Sequence, residues 1–287
     1  MPLNCTALMA LQIPPIEQTV TERDAILYAL GIGLGADPMD ERQLRFVYEK
    51  DLAVLPTMVI VLAYPGPLPQ YGDTGMTLTH VVHGEQGFVI HRPLVAGTTI
   101  IGTIRVTGVV DKGEGKGALV YTETAVRDKS DRAPICTLQS TTFCRADGGF
   151  NGPAGPVRPL HQLPATAPDI VCDLPTLPQA ALIYRLSGDY NPLHAEPAFA
   201  RRGGYERPIL HGRATFGVAG HAILKTCCDY DATRLVAMQG RFSAPVFPGE
   251  TIRTEIWRRG DELSFRSSVP ARSTVVLANG SARIRAA

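Results

Sequence analysis

Apolar and polar positions change rhythm several times along the chain. Residues 21–32 open with Thr21 at a capping position and with Glu22 and Asp24 in the first turn. The apolar stripe Ala25, Ile26, Leu27, Ala29 and Leu30 follows, which predicts a helix. Gly31, Gly33 and Gly35 come after that helix and not after a strand, so they read as its stop and not as a dinucleotide loop. Val-, Ile- and Thr-rich runs at 87–91, 98–110, 118–127 and 135–145 predict strands. In the second of these, Ile100, Ile104, Val106 and Val110 alternate with Thr103, Arg105 and Thr107, as in a sheet with one buried face. The stretch Lys112-Gly113-Glu114-Gly115-Lys116-Gly117 between two of the runs reads as a hairpin connection. Residues 147–168 are rich in Gly and Pro and poor in apolar side chains, which predicts a linker. Beyond it come a short helix over 179–186 and a second helix over 213–227. The second is apolar nearly all round and therefore expected to be buried. A second strand-rich run then reaches the end of the chain.

That second run repeats the first. Pro93-Leu94-Val95-Ala96-Gly97-Thr98-Thr99-Ile100 matches Pro245-Val246-Phe247-Pro248-Gly249-Glu250-Thr251-Ile252, and the same spacing lays Ile104 on Ile256. Two copies of one α+β unit follow, each with helices first and antiparallel strands after. The expected division is a first half over 1–148, a linker over 149–168 and a second half over 169–287.

Composition narrows the function classes. Of the 287 residues 19% are charged and 45% apolar, with a net charge of +1, which fits a globular chain and gives no electrostatic footprint for nucleic acid or anionic membrane. The six cysteines form no Cys-x-x-Cys pair, so free thiols are expected and a structural zinc is not. Residues 1–15 lack the basic start of a signal peptide, and the longest apolar run, 52–63, is broken by Pro56 and falls short of the ~20 residues a bilayer requires. The C-terminal Ile284-Arg285-Ala286-Ala287 is not a Ser-Lys-Leu address. These features point to a cytoplasmic protein.

The candidate chemistry lies in Ser187-Gly188-Asp189-Tyr190-Asn191-Pro192-Leu193-His194 and in Leu210-His211-Gly212. Gly188 suits the end of the preceding helix, and Asn191-Pro192 is a turn that folds His194 back toward Asp189. A carboxylate and an imidazole on one loop can position water and move a proton near neutral pH. Gly212 would start the buried helix with a free N–H able to hold an oxyanion. Taken singly, Asp189 also reads as a backbone cap, His194 as a core histidine and Gly212 as a plain helix start.

Tyr184-Arg185-Leu186 with the octet, continued by Leu210-His211-Gly212 and Ala214-Thr215-Phe216-Gly217, resembles the hydratase 2 motif of the MaoC-like, R-specific enoyl-CoA hydratases. In the first half, His83-Gly84-Glu85-Gln86 and Val110-Asp111-Lys112-Gly113 extend the likeness. The resemblance implies a double (tandem) hotdog, each antiparallel sheet wrapped around a long central helix. It also implies reversible hydration of trans-2-enoyl-CoA to the (3R)-3-hydroxyacyl-CoA by Asp189, Asn191 and His194, with the thioester oxygen on the Gly212 N–H. His83, Gly84, Lys112, Tyr190, Pro192, Leu193 and Phe242 would hold the acyl-CoA. Lys112 reads equally as a solvated hairpin lysine. No cofactor or metal is implied, and a homodimer is. The first half lacks the Asp-x-Asn-Pro-x-His loop, so one site per chain is expected, walled by the first half. A hotdog thioesterase, a non-catalytic acyl-CoA-binding subunit, and a metal site at Asp189, His194 and His211 are the competing readings.

Overall fold

The computed structural model describes residues 3–286; residues 1, 2 and 287, the outermost ends of the two expected halves, lie outside the described residues. Ten strands carry the fold: β1 (Ile16–Thr19), β2 (Val81–Ile90), β3 (Thr99–Asp111), β4 (Ala118–Asp128), β5 (Pro134–Cys144), β6 (Ile170–Pro175), β7 (Leu235–Phe242), β8 (Thr251–Arg259), β9 (Glu262–Val269) and β10 (Thr274–Ile284). They form one antiparallel sheet in the order β1-β3-β4-β5-β2-β7-β10-β9-β8-β6. The order reads as two five-stranded halves meeting at the β2–β7 pair, where Glu85 lies opposite Arg241 and Gly87 opposite Gln239. The internal repeat is visible in the geometry. Gly97 and Gly249 both take a left-handed φ, of 89° and 93°, and β3 and β8 then begin at the matching Thr99 and Thr251. Ile100 and Ile252 are both fully buried. This is the double hotdog, built as one continuous sheet and not as two separate ones.

Three helices matter for the site: α1 (Glu22–Gly31), α2 (Ala180–Tyr184) and α3 (Gly212–Cys227). The first is closed by a full capping box, in which Thr21 Oγ1 accepts from the Asp24 N–H and the Asp24 carboxylate accepts from the Thr21 N–H. α3 runs through the core, with Ala214 to Leu224 buried on every face. That is why its sequence shows no polar side.

The expectation of a long helix inside each half is corrected here, because among the described residues only the second half has one. The first half instead places a buried 3₁₀ turn, Pro56–Val61, against α3. Proline opens this turn, where its missing N–H does no harm, and the β-branched run Thr57, Val59, Ile60 and Val61 disfavours extension into an α-helix. The strand β2 also begins earlier than expected, at Val81, so that polar His83 and Glu85 lie within it.

The linker, residues 149–168, forms neither helix nor strand, and β6 begins just beyond it, but it is pinned across the sheet. Asp111 accepts from the N–H groups of Gly113, Gly149 and Gly152. Arg158 sits 4.6 Å over the Tyr121 ring, His161 Nε2 pairs with Ser264 Oγ at 2.8 Å, and Trp257 Nε1 donates to the Thr166 carbonyl. Polar and cation–π contacts thus replace the apolar packing that its composition cannot supply. All six cysteines are free, and among the described residues no helix is long and apolar enough to cross a membrane.

Gly217 and Gly220 let the first half approach α3 closely. A Cβ at Gly217 would lie 2.9 Å from the Tyr28 hydroxyl, and one at Gly220 would overlap the Thr57 methyl. Gly220→Ala should therefore destabilise the fold by about 1–3 kcal/mol through overpacking, seen as a lower denaturant midpoint. A gain of up to about 1 kcal/mol, the ordinary helix-propensity effect, would show that this contact is not tight.

Candidate active site

The loop after α2 is shaped residue by residue. A 3₁₀ turn, Arg185–Ser187, ends at Gly188, whose φ of 110° is one that a side-chain-bearing residue adopts only with strain. The Asp189 carboxylate then accepts from the Asn191 N–H at 3.2 Å, and Asn191 Oδ1 accepts from the Leu193 N–H at 3.0 Å. The second bond caps the 3₁₀ turn Pro192–His194 and brings His194 into the interior. The oxygen of Asn191 is thus occupied in shaping the loop, and Asn191 itself is exposed.

Two imidazoles meet beside Asp189. His194 Nδ1 lies 2.9 Å from the Ile209 carbonyl oxygen, which can only accept, so Nδ1 carries the proton and Nε2 is bare. His211 Nε2 lies 3.1 Å from the Asp189 carbonyl oxygen, which protonates Nε2 and leaves Nδ1 bare, buried and without a partner. The rings stack with centroids 3.6 Å apart at 25°, and Tyr184 closes on His211 at 5.0 Å. Burial lowers the pKa of His194 below 6.5, against the opposing influence of the Ile209 carbonyl and the Asp189 charge. Burial, and next the neighbouring His194, push His211 down to about 3. Both rings are therefore neutral near pH 7, and the stack carries no charge repulsion.

Ligand-capable atoms of Asp189, His194 and His211 all lie within 4.8 Å of one another. One water hydrogen-bonded to two acceptors fits such a span. Two histidines and a carboxylate are also a divalent-metal ligand set, and this is the one such group among the described residues.

The start of α3 faces the same place. The His211 side chain turns to Asp189 and leaves the helix without a side-chain cap, and among the described residues the Gly212 N–H meets no acceptor. Phe242 covers this end, since a Cβ at Gly212 would touch its ring at 3.3 Å, and the His83 ring lies 4.6 Å from it. Burial, and then the charge of Arg213, push His83 down to about 3, and its Nε2 pairs with Ser140 Oγ at 3.0 Å. Gly84 sits at the register shift between β2 and β5, where a Cβ would lie 3.1 Å from the Thr141 carbonyl oxygen.

Asp189, His194, Gly212, Phe242 and His83 are thus brought to one region, with Gly84 at its margin. Lys112 is not among them: it is exposed on the β3–β4 hairpin, with Nζ 5.0 Å from the Phe143 ring. Tyr190 is exposed beneath the Arg185 guanidinium, Pro192 is exposed, and Leu193 packs toward Gly203 on the outer side of the loop. The stacking role of His211 leaves no local signal, and in the sequence His211 reads only as a metal ligand beside Asp189 and His194. Arg213, a charge in the first turn of a largely apolar helix, is a visible signal that the motif alone does not use.

Comparison with known proteins adds the following. Residues 18–146 match the family model of the MFE-2 hydratase 2 N-terminal domain, and residues 160–279 match that of the MaoC like domain. The peroxisomal enoyl-CoA hydratase 2 of Arabidopsis thaliana is 38% identical over 96% of this chain and 94% of its own. The peroxisomal multifunctional enzyme type 2 of Mus musculus is 35% identical over 93% of this chain, which spans 37% of that longer protein. Among solved structures, a MaoC-like dehydratase from Phytophthora capsici superposes with a TM-score of 0.86 at 34% identity, covering 98% of each chain.

The two tautomers can be checked directly. Ring ¹⁵N NMR should show His194 protonated at Nδ1 and His211 at Nε2. Because burial disfavours the charged form, both rings should stay neutral as pH falls through 6.5, His211 down to about 3. A normal titration near 6.5 for either ring would contradict the buried, carbonyl-anchored geometry.

Proposed function

The chain belongs to the MaoC-like hydratase 2 family, and we propose that it catalyses reversible hydration of trans-2-enoyl-CoA to (3R)-3-hydroxyacyl-CoA at the Asp189–His194 pair. The observation that carries this reading is the gathering of Asp189, His194 and His211, with ligand-capable atoms within 4.8 Å of one another, where the Ile209 bond leaves His194 Nε2 bare and α3 starts at Gly212 beside His211.

The chemistry follows from Asp189, His194 and the Gly212 N–H. Water held between Asp189 and His194 donates one O–H to each, which turns an oxygen lone pair toward C3. As the C–O bond forms at C3, His194 Nε2 takes the proton and negative charge moves onto the thioester oxygen. The Gly212 N–H, strengthened by the aligned dipoles of a helix of sixteen residues, holds that oxygen. The protonated His194 then returns its proton to C2 on the same face, and the enolate collapses to the thioester. One water is added and every group returns to its starting state. His211 acts at one remove, holding the Asp189 turn and stacking on His194, so it is a positioning residue. His83, Gly84 and Phe242 form the wall nearest the thioester. Lys112, exposed on the β3–β4 hairpin, would meet the CoA moiety, and Tyr190, Pro192 and Leu193 would shape the loop more than they line the pocket.

With purified protein and crotonyl-CoA, loss of the enoyl-thioester absorbance should give the (3R) product. Asp189→Ala and His194→Ala should each lower kcat by about 10²–10⁴-fold, the range for a lost general acid–base group, with the circular dichroism unchanged. Near-wild-type turnover in either variant would overturn the mechanism. Release of free thiol in place of hydration would favour thioester hydrolysis. EDTA should leave the rate unchanged; loss on chelation with recovery on adding Zn²⁺ would make Asp189, His194 and His211 metal ligands.

A further inference from the structure

Arg213 is an electrostatic misfit at the place where it stands. It occupies the first turn of α3, where the helix dipole already presents positive charge, and no acidic residue lies in that turn to offset it. It is half-buried, and among the described residues it has no carboxylate within ion-pair distance and makes no hydrogen bond through its guanidinium. Its guanidinium lies 4.7 Å from the centre of the Tyr64 ring. Its charge nevertheless reaches His83, Tyr28, Tyr64 and Tyr184, which come from four different segments around the start of α3.

A second observation concerns hydroxyls on the same side. Tyr28, Thr57 and Tyr184 are buried, and their hydroxyls neighbour one another with geometry short of a full hydrogen bond. Tyr28 and Tyr184 pack ring to ring at 5.7 Å, and Tyr184 reaches His211. An acyl pocket for a plain hydrocarbon needs no arginine, because a partly buried charge without a partner is costly. The start of α3 beside Gly212 is therefore positive.

We propose that Arg213 selects enoyl-CoA substrates whose acyl group ends in a carboxylate. The Gly212 N–H would hold the thioester oxygen and, one residue on, the Arg213 guanidinium would take the distal carboxylate. The planar fork of the guanidinium suits a carboxylate, and the helix start that makes an unpaired arginine unfavourable favours a second anion. CoA phosphates are the other anions the substrate brings, but they would engage Arg213 irrespective of the acyl group.

This selectivity rests on the hydratase reading above, and the test separates the two. Rates are measured with trans-2-hexenedioyl-CoA and trans-2-hexenoyl-CoA, which match in length and differ in the terminal carboxylate. The wild type should favour the diacid by about 10–100-fold in kcat/KM, the range for hydrogen bonds to a charged group. Arg213→Leu should erase that preference by a selective loss on the diacid, and Arg213→Lys should keep part of it. Equal losses on both substrates would place Arg213 on the CoA phosphates, and a wild type without preference would also overturn the proposal. Binding of the saturated adipoyl-CoA and hexanoyl-CoA, followed by calorimetry, reads the same contact without turnover. A tighter adipoyl-CoA complex that depends on Arg213 would sustain the selectivity even if no enoyl-CoA were hydrated, and equal affinities would refute it.

Discussion

Two hydrogen bonds from imidazole to main-chain carbonyl, His194 to Ile209 and His211 to Asp189, tie the loop before the central helix to the residues that begin it. Each bond runs from one segment to the other, so the pair works as a crossed lacing. It sets which nitrogen of each ring is bare, and it holds the rings in a 3.6 Å stack. A backbone carbonyl cannot change its role as acceptor, so the tautomers do not depend on neighbouring side chains. Burial keeps the rings neutral, without which stacked imidazoles would repel. Placement of the carboxylate, the bare Nε2 and the free helix N–H all follow from these two bonds.

The sheet explains why the site lies where it does. The halves join through β2 and β7, and Phe242, which covers the helix start, and His83, packed on it, come from those two strands. The second half supplies the loop and the helix, while the first supplies β2 and a buried 3₁₀ turn in place of its own helix. Loss of that helix leaves α3 as the single axis of the core. The glycines at 217 and 220 let α1 and the 3₁₀ turn come against it, with Tyr28 and Thr57 packed on its middle.

Much of this was legible in the chain. The octet, its glycine in a left-handed conformation, the helix apolar on all sides and the matching segments at 93 and 245 each leave a local signature, because each depends on residues close in sequence. What could not be read depends on residues far apart. Pro56 and the β-branched residues after it signalled a broken run, but not that the run would replace a helix. The linker lacked apolar residues, and its anchoring by Arg158, His161 and the Trp257 indole could not be foreseen without the strands it crosses. The Asp189 carbonyl as the acceptor for His211 is likewise a product of the folded loop. Lys112, matched by motif, stands exposed on the β3–β4 hairpin with its Nζ 5.0 Å from the Phe143 ring, a contact between residues far apart in sequence.

The central claim is that one histidine takes a proton from water and returns it to the same face of the substrate. Hydration of crotonyl-CoA in D₂O, with the 3-hydroxybutyryl product resolved by proton NMR, tests it directly. The account predicts a single (3R) diastereomer with deuterium at C2 added syn to the new hydroxyl. Anti addition, or deuterium scrambled over both C2 positions in the initial product, would contradict it.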